Sequence, residues 1–310
     1  SDPYITYKNQ YIESLWAIIK KIWDRKLLYL AHRVVPFCTR CGTGLSSHEV
    51  AQGYKKVKEK SVYIKFKLKP NNKFPENTYI LAWTTTPWTL LGNVALAVGK
   101  DIDYVSVGKD GENLIVAKDL APKIFGENFQ LSEILINKFP GHYLGGLKYE
   151  ELFDIKNLQS DGSYEIYFAD FVSTTDGTGV VHTTVMYGED DYNLGTRVGL
   201  PKFHTVDEQG KFIHVGQSLD GMYVKAKETE EKIIEIIREN GNLLKTEEYE
   251  HDYPFCWRCD TPLLYYAKES WFIKMSAVNK ALLKNNQKIN WFPEHIKEGR
   301  FGQWLKEGKD

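Results

Sequence analysis

The four cysteines of this 310-residue chain form two pairs of identical spacing, Cys38 with Cys41 and Cys256 with Cys259. A Cys-x-x-Cys turn points two thiolates at one centre, and two such turns supply the tetrahedral sulfur set that Zn²⁺ prefers. A thioredoxin-like redox pair and two disulfides are the alternatives. Because no cysteine lies outside the pairs and the sequence begins without a secretory leader pattern, we favour a structural zinc site.

The two cysteine pairs are separated by 214 residues, far more than the roughly 12–20 residues of a zinc finger or ribbon. Loop-closure entropy grows only logarithmically with length, so the site can form if the intervening chain folds on its own. We therefore expect a zinc clasp at the neck of an inserted domain. No internal repeat is evident in the sequence.

A threonine-rich segment, residues 83–90, directly follows a predicted strand. Thr84, Thr85 and Thr86 offer hydroxyl and backbone N–H groups in a turn that Pro87 fixes. Such a cluster can hydrogen-bond a ribose or an ester carbonyl, although threonine is neither an acid nor a base near neutral pH. Taken alone, an ordinary β-turn with threonines suited to strands is the simpler explanation.

A second segment, residues 176–192, combines two glycines, a histidine and an acidic cluster. Gly177 and Gly179 allow the backbone to approach a ligand closely. The strand that follows presents His182, and Asp191 lies in the acidic turn beyond it. Acidic side chains at such a turn can bind Mg²⁺ or a ligand amine. The plain alternatives are a hydrogen-bonded core histidine and a solvated helix start.

The elements that must position these residues follow from the spacing of apolar side chains. An amphipathic helix is predicted over residues 9–30 and a half-buried strand over 62–69. Thr229 is the predicted N-cap of another helix, and residues 270–310 are expected to be helical. Further strands are predicted at residues 79–83, 94–98, 104–107, 114–117, 164–172 and 180–183. The chain is thus expected to be α+β.

Composition narrows the class of protein. Lys plus Arg total 40 and Asp plus Glu total 41, and the resulting net charge of −1 excludes a protein held to nucleic acid by bulk charge. Residues 55–73 contain eight Lys and one Glu. This segment could be a strip that binds phosphate groups, but we favour the interpretation that it is a solvated face of a strand. No apolar run reaches the ~18–20 residues of a membrane span, so we expect no membrane contact and a cytoplasmic location.

Taken together and in this order, the motifs closely resemble the editing insertion, or connective polypeptide, of the isoleucyl-tRNA synthetases. The resemblance covers essentially the whole chain and also rests on residues 42–50, 251–259 and 300–305. The valyl and leucyl enzymes have Arg where this chain has Thr86, which favours the isoleucyl family. Residues 295–297 do not form the His-Ile-Gly-His motif of a synthetase, and residues 274–276 match its Lys-Met-Ser-Lys-Ser loop only by coincidence, so we expect no synthetic site in this chain. We therefore expect ATP and Mg²⁺ to be needed only by a full-length synthetase.

The resemblance implies a β-barrel-like editing domain at residues 57–245, inserted through a helical, zinc-clasped base of residues 1–56 and 246–310. It further implies hydrolysis of valine wrongly esterified to tRNA(Ile), and possible action on valyl-adenylate, with the tRNA 3′ end, a valyl-adenosine moiety and the remaining synthetase as partners. The residues with implied catalytic roles are Thr84, Thr85, Thr86, His182 and Asp191. The residues with implied substrate-binding roles are Trp83, Trp88, Gly177, Thr178, Gly179, Thr183 and Tyr253.

Among these, the resemblance implies that the threonines contact the terminal adenosine and the ester. His182 would exclude the larger isoleucine, Asp191 would accept the α-ammonium, and Trp88 and Tyr253 would line the side-chain pocket. A hydroxyl of the terminal ribose would help to place the attacking water. The alternative function is a non-catalytic module that binds the tRNA 3′ end.

The sequence departs from the family pattern at two places. Thr184-Val185 stands where the family has Ala-Pro, and Leu91-Gly92 stands where it commonly has Pro-Ser. Neither change removes a residue with an implied role. We expect the first to alter the shape of the pocket, because Thr184 is larger than alanine.

Overall fold

The computed structural model describes residues 3–126, 135–216 and 218–308. By its internal contacts the chain divides into two units, one of Ser1–Arg33 with Lys268–Asp310 and the other of Val34–Ala267. All four cysteines and both segments singled out above lie in the larger unit. The division expected from the sequence, with an inserted domain at residues 57–245, stays a prediction.

Strands and helices contribute about equally to the regular structure in the described residues. The strands are β1 (Leu28–Cys38), β2 (Thr43–Gly44), β3 (Tyr54–Lys67), β4 (Thr78–Thr84), β5 (Ala95–Val98), β6 (Asp103–Lys109), β7 (Glu112–Ala117), β8 (Leu135–Pro140), β9 (Glu165–Phe168), β10 (Val180–Thr183), β11 (Leu243–Pro254) and β12 (Leu264–Ile273). The α-helices are α1 (Asn9–Asp24), α2 (Ser47–Ala51), α3 (Ala121–Phe125), α4 (Glu189–Val198), α5 (Lys227–Glu239), α6 (Met275–Asn286) and α7 (Arg300–Lys306).

The two ends of the chain contain strands as well as helices, so the expected helical base is instead of mixed structure. The predicted helix over residues 9–30 stops as α1 at Asp24, because Lys26 takes a left-handed conformation with φ 55°. The chain then enters β1 at Leu28. Likewise β12 occupies the region up to Ile273 before α6 begins.

A six-stranded sheet in the order β11-β3-β4-β7-β6-β8 forms the centre of the larger unit. The pairs β11–β3 and β3–β4 are antiparallel, whereas β4–β7 is parallel. Both faces of β3 and β4 are covered over much of their length, and Ile64, Phe66 and Ile80 are fully buried. This burial confirms the strand predicted at residues 62–69, although β3 itself begins at Tyr54.

The expected closure into a barrel is wrong for the described residues. β11 and β8 are the outer strands of an open sheet, and β5 pairs instead with β10 and β9 in a separate three-stranded sheet. The chain leaves the large sheet at the end of β4 through a buried 3-10 helix, Pro87–Gly92, which redirects it into β5. Alternating hydrophobicity can predict a strand but not which edges pair, so closure could not be read from it.

This exit from β4 positions the candidate site. The threonine-rich segment begins on the last residue of β4, Thr84, and continues through the 3-10 helix. β5 then runs antiparallel to β10, with His182 opposite Leu96 and Thr183 opposite Ala95. As a result, the two segments that the sequence singled out lie side by side.

Candidate functional site

The four cysteine sulfurs lie together, although the two pairs are far apart in sequence. The Sγ–Sγ distances are 3.4 Å from Cys38 to Cys259, 3.5 Å from Cys41 to Cys259 and 4.0 Å from Cys41 to Cys256. All four sulfurs lie within 4.8 Å of one another, and none is in a disulfide. Tetrahedral zinc with Zn–S bonds of about 2.3 Å would separate its ligands by roughly 3.8 Å. The cluster therefore has the donor atoms and spacing that a tetrahedral metal ion requires.

The two cysteine turns are structural copies of one another. The amide of Gly42 donates to the carbonyl of Cys38 at 2.9 Å, and the amide of Asp260 donates to that of Cys256 at 2.8 Å. Both donors take left-handed conformations, with φ 65° and 61°. Residues 36–45 and 254–263 share Pro, Phe, Cys, Arg, Cys, Thr and Leu at equivalent positions. This repeat is an internal one that the sequence analysis missed, and aligning the two Cys-x-x-Cys turns would have revealed it.

A continuous line of hydroxyl groups runs along the threonine-rich segment. The hydroxyl oxygens of Thr84 and Thr86 lie 3.1 Å apart, and those of Thr86 and Thr89 lie 3.3 Å apart. The amide of Thr86 also donates to Thr84 Oγ1 at 3.1 Å. In a 3-10 turn, residues three apart lie on the same side, so Pro87 at the start of the helix brings Thr86 and Thr89 together. Thr85 is half-buried between its neighbours.

His182 extends this line from β10. Thr89 Oγ1 lies 3.2 Å from His182 Nε2 and donates its own proton to the carbonyl of Thr86 at 2.8 Å. Since that proton is engaged, Thr89 accepts from the imidazole, and Nε2 carries the hydrogen. Burial lowers the pKa of His182 to about 4. The ring is therefore neutral at physiological pH, and its Nδ1 is a buried atom without a hydrogen-bond partner in the described residues.

Asp191 joins the same cluster through Thr184. The amide of Thr184 donates to Asp191 Oδ1 at 3.2 Å, while its hydroxyl donates to the carbonyl of Thr89 at 2.9 Å. Asp191 lies in the first turn of α4, and its carboxyl group leans against the Gly188 cap, where a Cβ atom would collide with Oδ2. Burial raises the pKa of Asp191 to about 7. Near neutral pH this carboxyl group therefore takes up or releases a proton readily.

The Gly177–Gly179 loop is held close to β4 and β7. Gly177 and Gly179 have φ of 78° and 72°, and a Cβ on Gly179 would overlap the side chain of Ala117. A Cβ on Gly177 would lie 3.1 Å from the indole ring of Trp83. Thr178 is buried, and its carbonyl accepts from the amide of Ala117 at 2.9 Å. Glycine is required here by both conformation and space.

The remaining predicted substrate-binding residues fall in different places. Trp88 is buried in the core, with its ring edge-on to Tyr187 at 5.2 Å. Thr183 is fully buried on β10, and its hydroxyl has no hydrogen-bond partner in the described residues. Tyr253 lies on β11, donates to the carbonyl of Leu263 at 2.7 Å and packs beside the second cysteine turn. The described contacts of Tyr253 do not include the threonine line or His182.

Two residues in the cluster were not assigned a role from sequence. Thr89 links the threonine line to His182, and Thr184 links it to Asp191. Thr89 could have been found from its place three residues after Thr86 in a proline-started turn. Thr184 was noticed only as a departure from the family pattern, since its contact with Thr89 spans 95 positions.

Four of the eight lysines at residues 55–73 form ion pairs with carboxylates of the same chain. Lys65 contacts both carboxylate oxygens of Glu112 at 2.7 Å, and Lys67 lies 3.2 Å from Glu150. Lys55 pairs with Asp260. These partners neutralise charge that a phosphate strip would need, which favours a solvated strand face.

Among the described residues, no helix is long and apolar enough to cross a membrane.

Comparison with known proteins gives both structural and sequence matches. The crystal structure named GlLeuRS-CP1 is 15% identical with a TM-score of 0.46, and the match covers 60% of this chain and 100% of that one. The isoleucine–tRNA ligase of Clostridium novyi (strain NT) is 51% identical over 304 residues, 98% of this chain and 28% of that protein. That of Thermoplasma volcanium is 46% identical over 310 residues, 100% of this chain and 29% of that protein.

The chain thus spans less than a third of the length of these curated relatives. Residues 1–310 match the family model described as tRNA synthetases class I (I, L, M and V). The resemblance drawn from the sequence is confirmed at this level, and the chain belongs to the class I tRNA synthetase family.

Proposed function

We propose that this chain is the editing part of an isoleucyl-tRNA synthetase and hydrolyses valine wrongly esterified to tRNA(Ile). The observation that carries the proposal is the hydrogen-bonded line from Thr84 through Thr86 and Thr89 to a neutral His182. Asp191, the one carboxyl group of the cluster, is tied to the same line through Thr184. Polar donors, a rigid ring and a carboxyl group are the parts that an aminoacyl ester would engage.

The chemistry needs no covalent nucleophile. An aminoacyl ester is already activated, so holding a water against its carbonyl and stabilising the developing oxyanion is sufficient. The hydroxyl groups of Thr84 and Thr86 lie at the end of β4, and they would exchange hydrogen bonds within the line for bonds to the ester and the terminal ribose. His182 is a poor general base because its pKa is about 4. We therefore assign the placing of the water to a hydroxyl of the terminal ribose.

Selectivity is the reason for such a site. A synthetic pocket separates isoleucine from valine by only one methylene, so a second site must remove the smaller, wrong amino acid. His182 suits the role of a steric limit, because β10 fixes its backbone and Thr89 fixes its ring. With its backbone held in β10 and its Nε2 atom bonded to Thr89, the ring cannot move aside to admit a larger side chain.

Asp191 suits the recognition of the α-ammonium group. Its pKa of about 7 is raised by burial, and an adjacent cation would favour the charged carboxylate. Binding of the ammonium would therefore ionise Asp191 and create a buried ion pair. A substrate without this amine would not form the ion pair with Asp191 and would bind less tightly.

Zn²⁺ is the ion proposed for the four cysteines, and it would act structurally, linking the two turns through four thiolate bonds. Cys38 and Cys256 are buried, which suits a closed site without an open position for substrate. The remaining synthetase would supply ATP- and Mg²⁺-dependent ligation, and the proposed place of action is the cytoplasm. Ligase activity is not proposed for this chain.

Release of labelled valine from valyl-tRNA(Ile) tests the proposal. The measurement uses both the 310-residue chain and a full synthetase that carries it. Thr86→Val should lower the rate by roughly a hundredfold, as loss of an oxyanion donor does. Thr246→Val, at an exposed position of β11, serves as the matched control. Binding of the tRNA 3′ end without valine release by either protein would instead support the non-catalytic module.

A further inference from the structure

Thr184 contacts two separate parts of the cluster with two different groups. Its hydroxyl donates to the carbonyl of Thr89 at 2.9 Å, and its amide donates to Asp191 Oδ1 at 3.2 Å. Thr89 in turn accepts from His182 through its side chain at 3.2 Å. The single residue Thr184 therefore connects the support of the proposed steric limit with the proposed ammonium acceptor.

The position of the Thr184 side chain depends on Gly92. A Cβ atom on Gly92 would lie 2.5 Å from Thr184 Cγ2, closer than two carbon atoms can approach without displacement. The same Cβ would lie 3.5 Å from both Thr205 Oγ1 and Tyr187 Cε2, which is an ordinary van der Waals distance. These two neighbours would therefore not collide with it. The methyl group of Thr184 thus fills the space that a side chain at position 92 would take.

The methyl and hydroxyl groups of Thr184 cannot be placed independently. Both are carried on Cβ, so a rotation that moves the methyl group away from Gly92 also moves the hydroxyl away from Thr89. Because glycine at position 92 leaves room for the methyl group of Thr184, the hydroxyl group stays within hydrogen-bonding distance of the Thr89 carbonyl. Thr184 and Gly92 are also the sites of the two departures from the family pattern, and the structure brings them into contact.

From these contacts we propose that Thr184 is a positioning residue for the editing reaction, seated by Gly92 and acting through Thr89 on His182. This inference rests on the proposed function. Thr184 is assigned no contact with the substrate. Its role is to hold the backbone of the 3-10 helix at Thr89, so that the line of hydroxyls and the imidazole keep one arrangement.

Two substitutions separate the roles of the hydroxyl and the methyl group. Thr184→Val keeps the shape and removes the hydroxyl, whereas Thr184→Ser keeps the hydroxyl and leaves a gap beside Gly92. We expect Thr184→Val to lower kcat for valyl-tRNA(Ile) hydrolysis about tenfold with little change in KM, and to raise the relative rate on isoleucyl-tRNA(Ile). We expect Thr184→Ser to retain kcat within about twofold while unfolding at a lower urea concentration than the wild type.

The measurement compares the full synthetase carrying each variant with wild-type enzyme, by kcat, KM and the ratio of valine to isoleucine release. A wild-type rate equal to buffer would contradict the proposed function itself. An active wild type with Thr184→Val and Thr184→Ser equally affected, or both unaffected, would overturn the positioning role alone.

A double-substitution cycle tests the seat at Gly92. Gly92→Ala should lower the urea midpoint and kcat together, because its methyl group displaces Thr184. Adding Thr184→Ser should restore much of both, since the serine lacks the colliding methyl group but keeps the hydroxyl. If Gly92→Ala is equally harmful with serine and with threonine at position 184, the two residues are uncoupled and the proposal is wrong.

Discussion

Thr89 and His182 are 93 residues apart in sequence, and the hydroxyl oxygen of Thr89 lies 3.2 Å from Nε2 of His182. The Thr89 proton is engaged by the carbonyl of Thr86, so the histidine is the donor in this contact. This arrangement fixes both the rotamer and the tautomer of a buried neutral ring. It gives the proposed steric limit a support on a separate element of the fold.

Replacing Thr89 should therefore affect both stability and selectivity. Thr89→Val leaves the buried N–H of His182 without an acceptor, which should cost about 1–3 kcal/mol in the free energy of unfolding. Urea unfolding measures this loss, and Thr89→Ser, which keeps the hydroxyl, serves as the control. Equal stability of the valine and serine variants would contradict the assigned hydrogen bond.

Removing the ring of His182 should relax the exclusion of isoleucine. We expect His182→Ala to raise the rate of isoleucine release from isoleucyl-tRNA(Ile) by tenfold or more, because the truncated side chain leaves room for one more methylene. His142 is exposed, so the variant His142→Ala serves as the matched control and should behave as wild type. A His182→Ala enzyme that still spares isoleucyl-tRNA would show that another residue limits the pocket.

The raised pKa of Asp191 predicts a pH-dependent effect on stability. A carboxyl group whose pKa rises on folding, here to about 7, stabilises the fold in its protonated form. Its contribution is complete below the unfolded pKa of about 3.9 and is lost as the pH rises through 7. Asp191→Asn should therefore gain stability relative to wild type as the pH increases from 4 to 8. Urea midpoints that shift in parallel for both proteins over this range would contradict the raised pKa.

The cysteine cluster predicts one bound metal ion per chain. Mass spectrometry of purified protein should find stoichiometric zinc, and substitution with Co²⁺ should give the absorption bands of a tetrahedral thiolate site. Cys256→Ser should lose the metal and unfold at a lower temperature, because metal binding contributes to folding free energy. Thiol titration that finds disulfides in place of free cysteines would rule out this site.

Gly179 is predicted to tolerate no side chain, and Gly111 provides a matched comparison. Both have positive φ, 72° and 82°, but a Cβ on Gly111 meets nothing within 4 Å. Gly111→Ala should cost only the backbone strain of about 1–2 kcal/mol. Gly179→Ala should cost more, because the added methyl group also collides with Ala117. Equal urea midpoints for the two variants would contradict the tight packing of this loop.

Local patterns predicted seven of the twelve strands in the described residues and missed β1, β2, β8, β11 and β12. The predicted strand at residues 180–183 coincides with β10, and that at 79–83 lies within β4. The predicted Thr229 cap is instead an interior residue of α5, which begins after Ala226. The end of α1 also escaped prediction, because Lys26 adopts a positive φ that a lysine rarely takes.

The sequence placed the threonines, His182 and Asp191 on two segments, but it did not show how they connect. The connecting residues, Thr89 and Thr184, act through contacts between elements far apart in sequence. Their residue types are ordinary for a turn and a strand end, so no spacing rule marks them. Closure of the sheet failed as a prediction for a related reason, since edge pairing depends on where the 3-10 helix redirects the chain.

The equivalence of the two cysteine turns bears on how this segment can change over time. Residues 36–45 and 254–263 fold alike, and their sulfurs approach to 3.4 Å, so the chain departs and returns at a single point. Insertions or deletions between the two cysteine turns would leave the pairing of the turns unaltered. The intervening chain can therefore vary in length without separating the four sulfurs, because the entropic cost of closing the loop changes only slowly with its length.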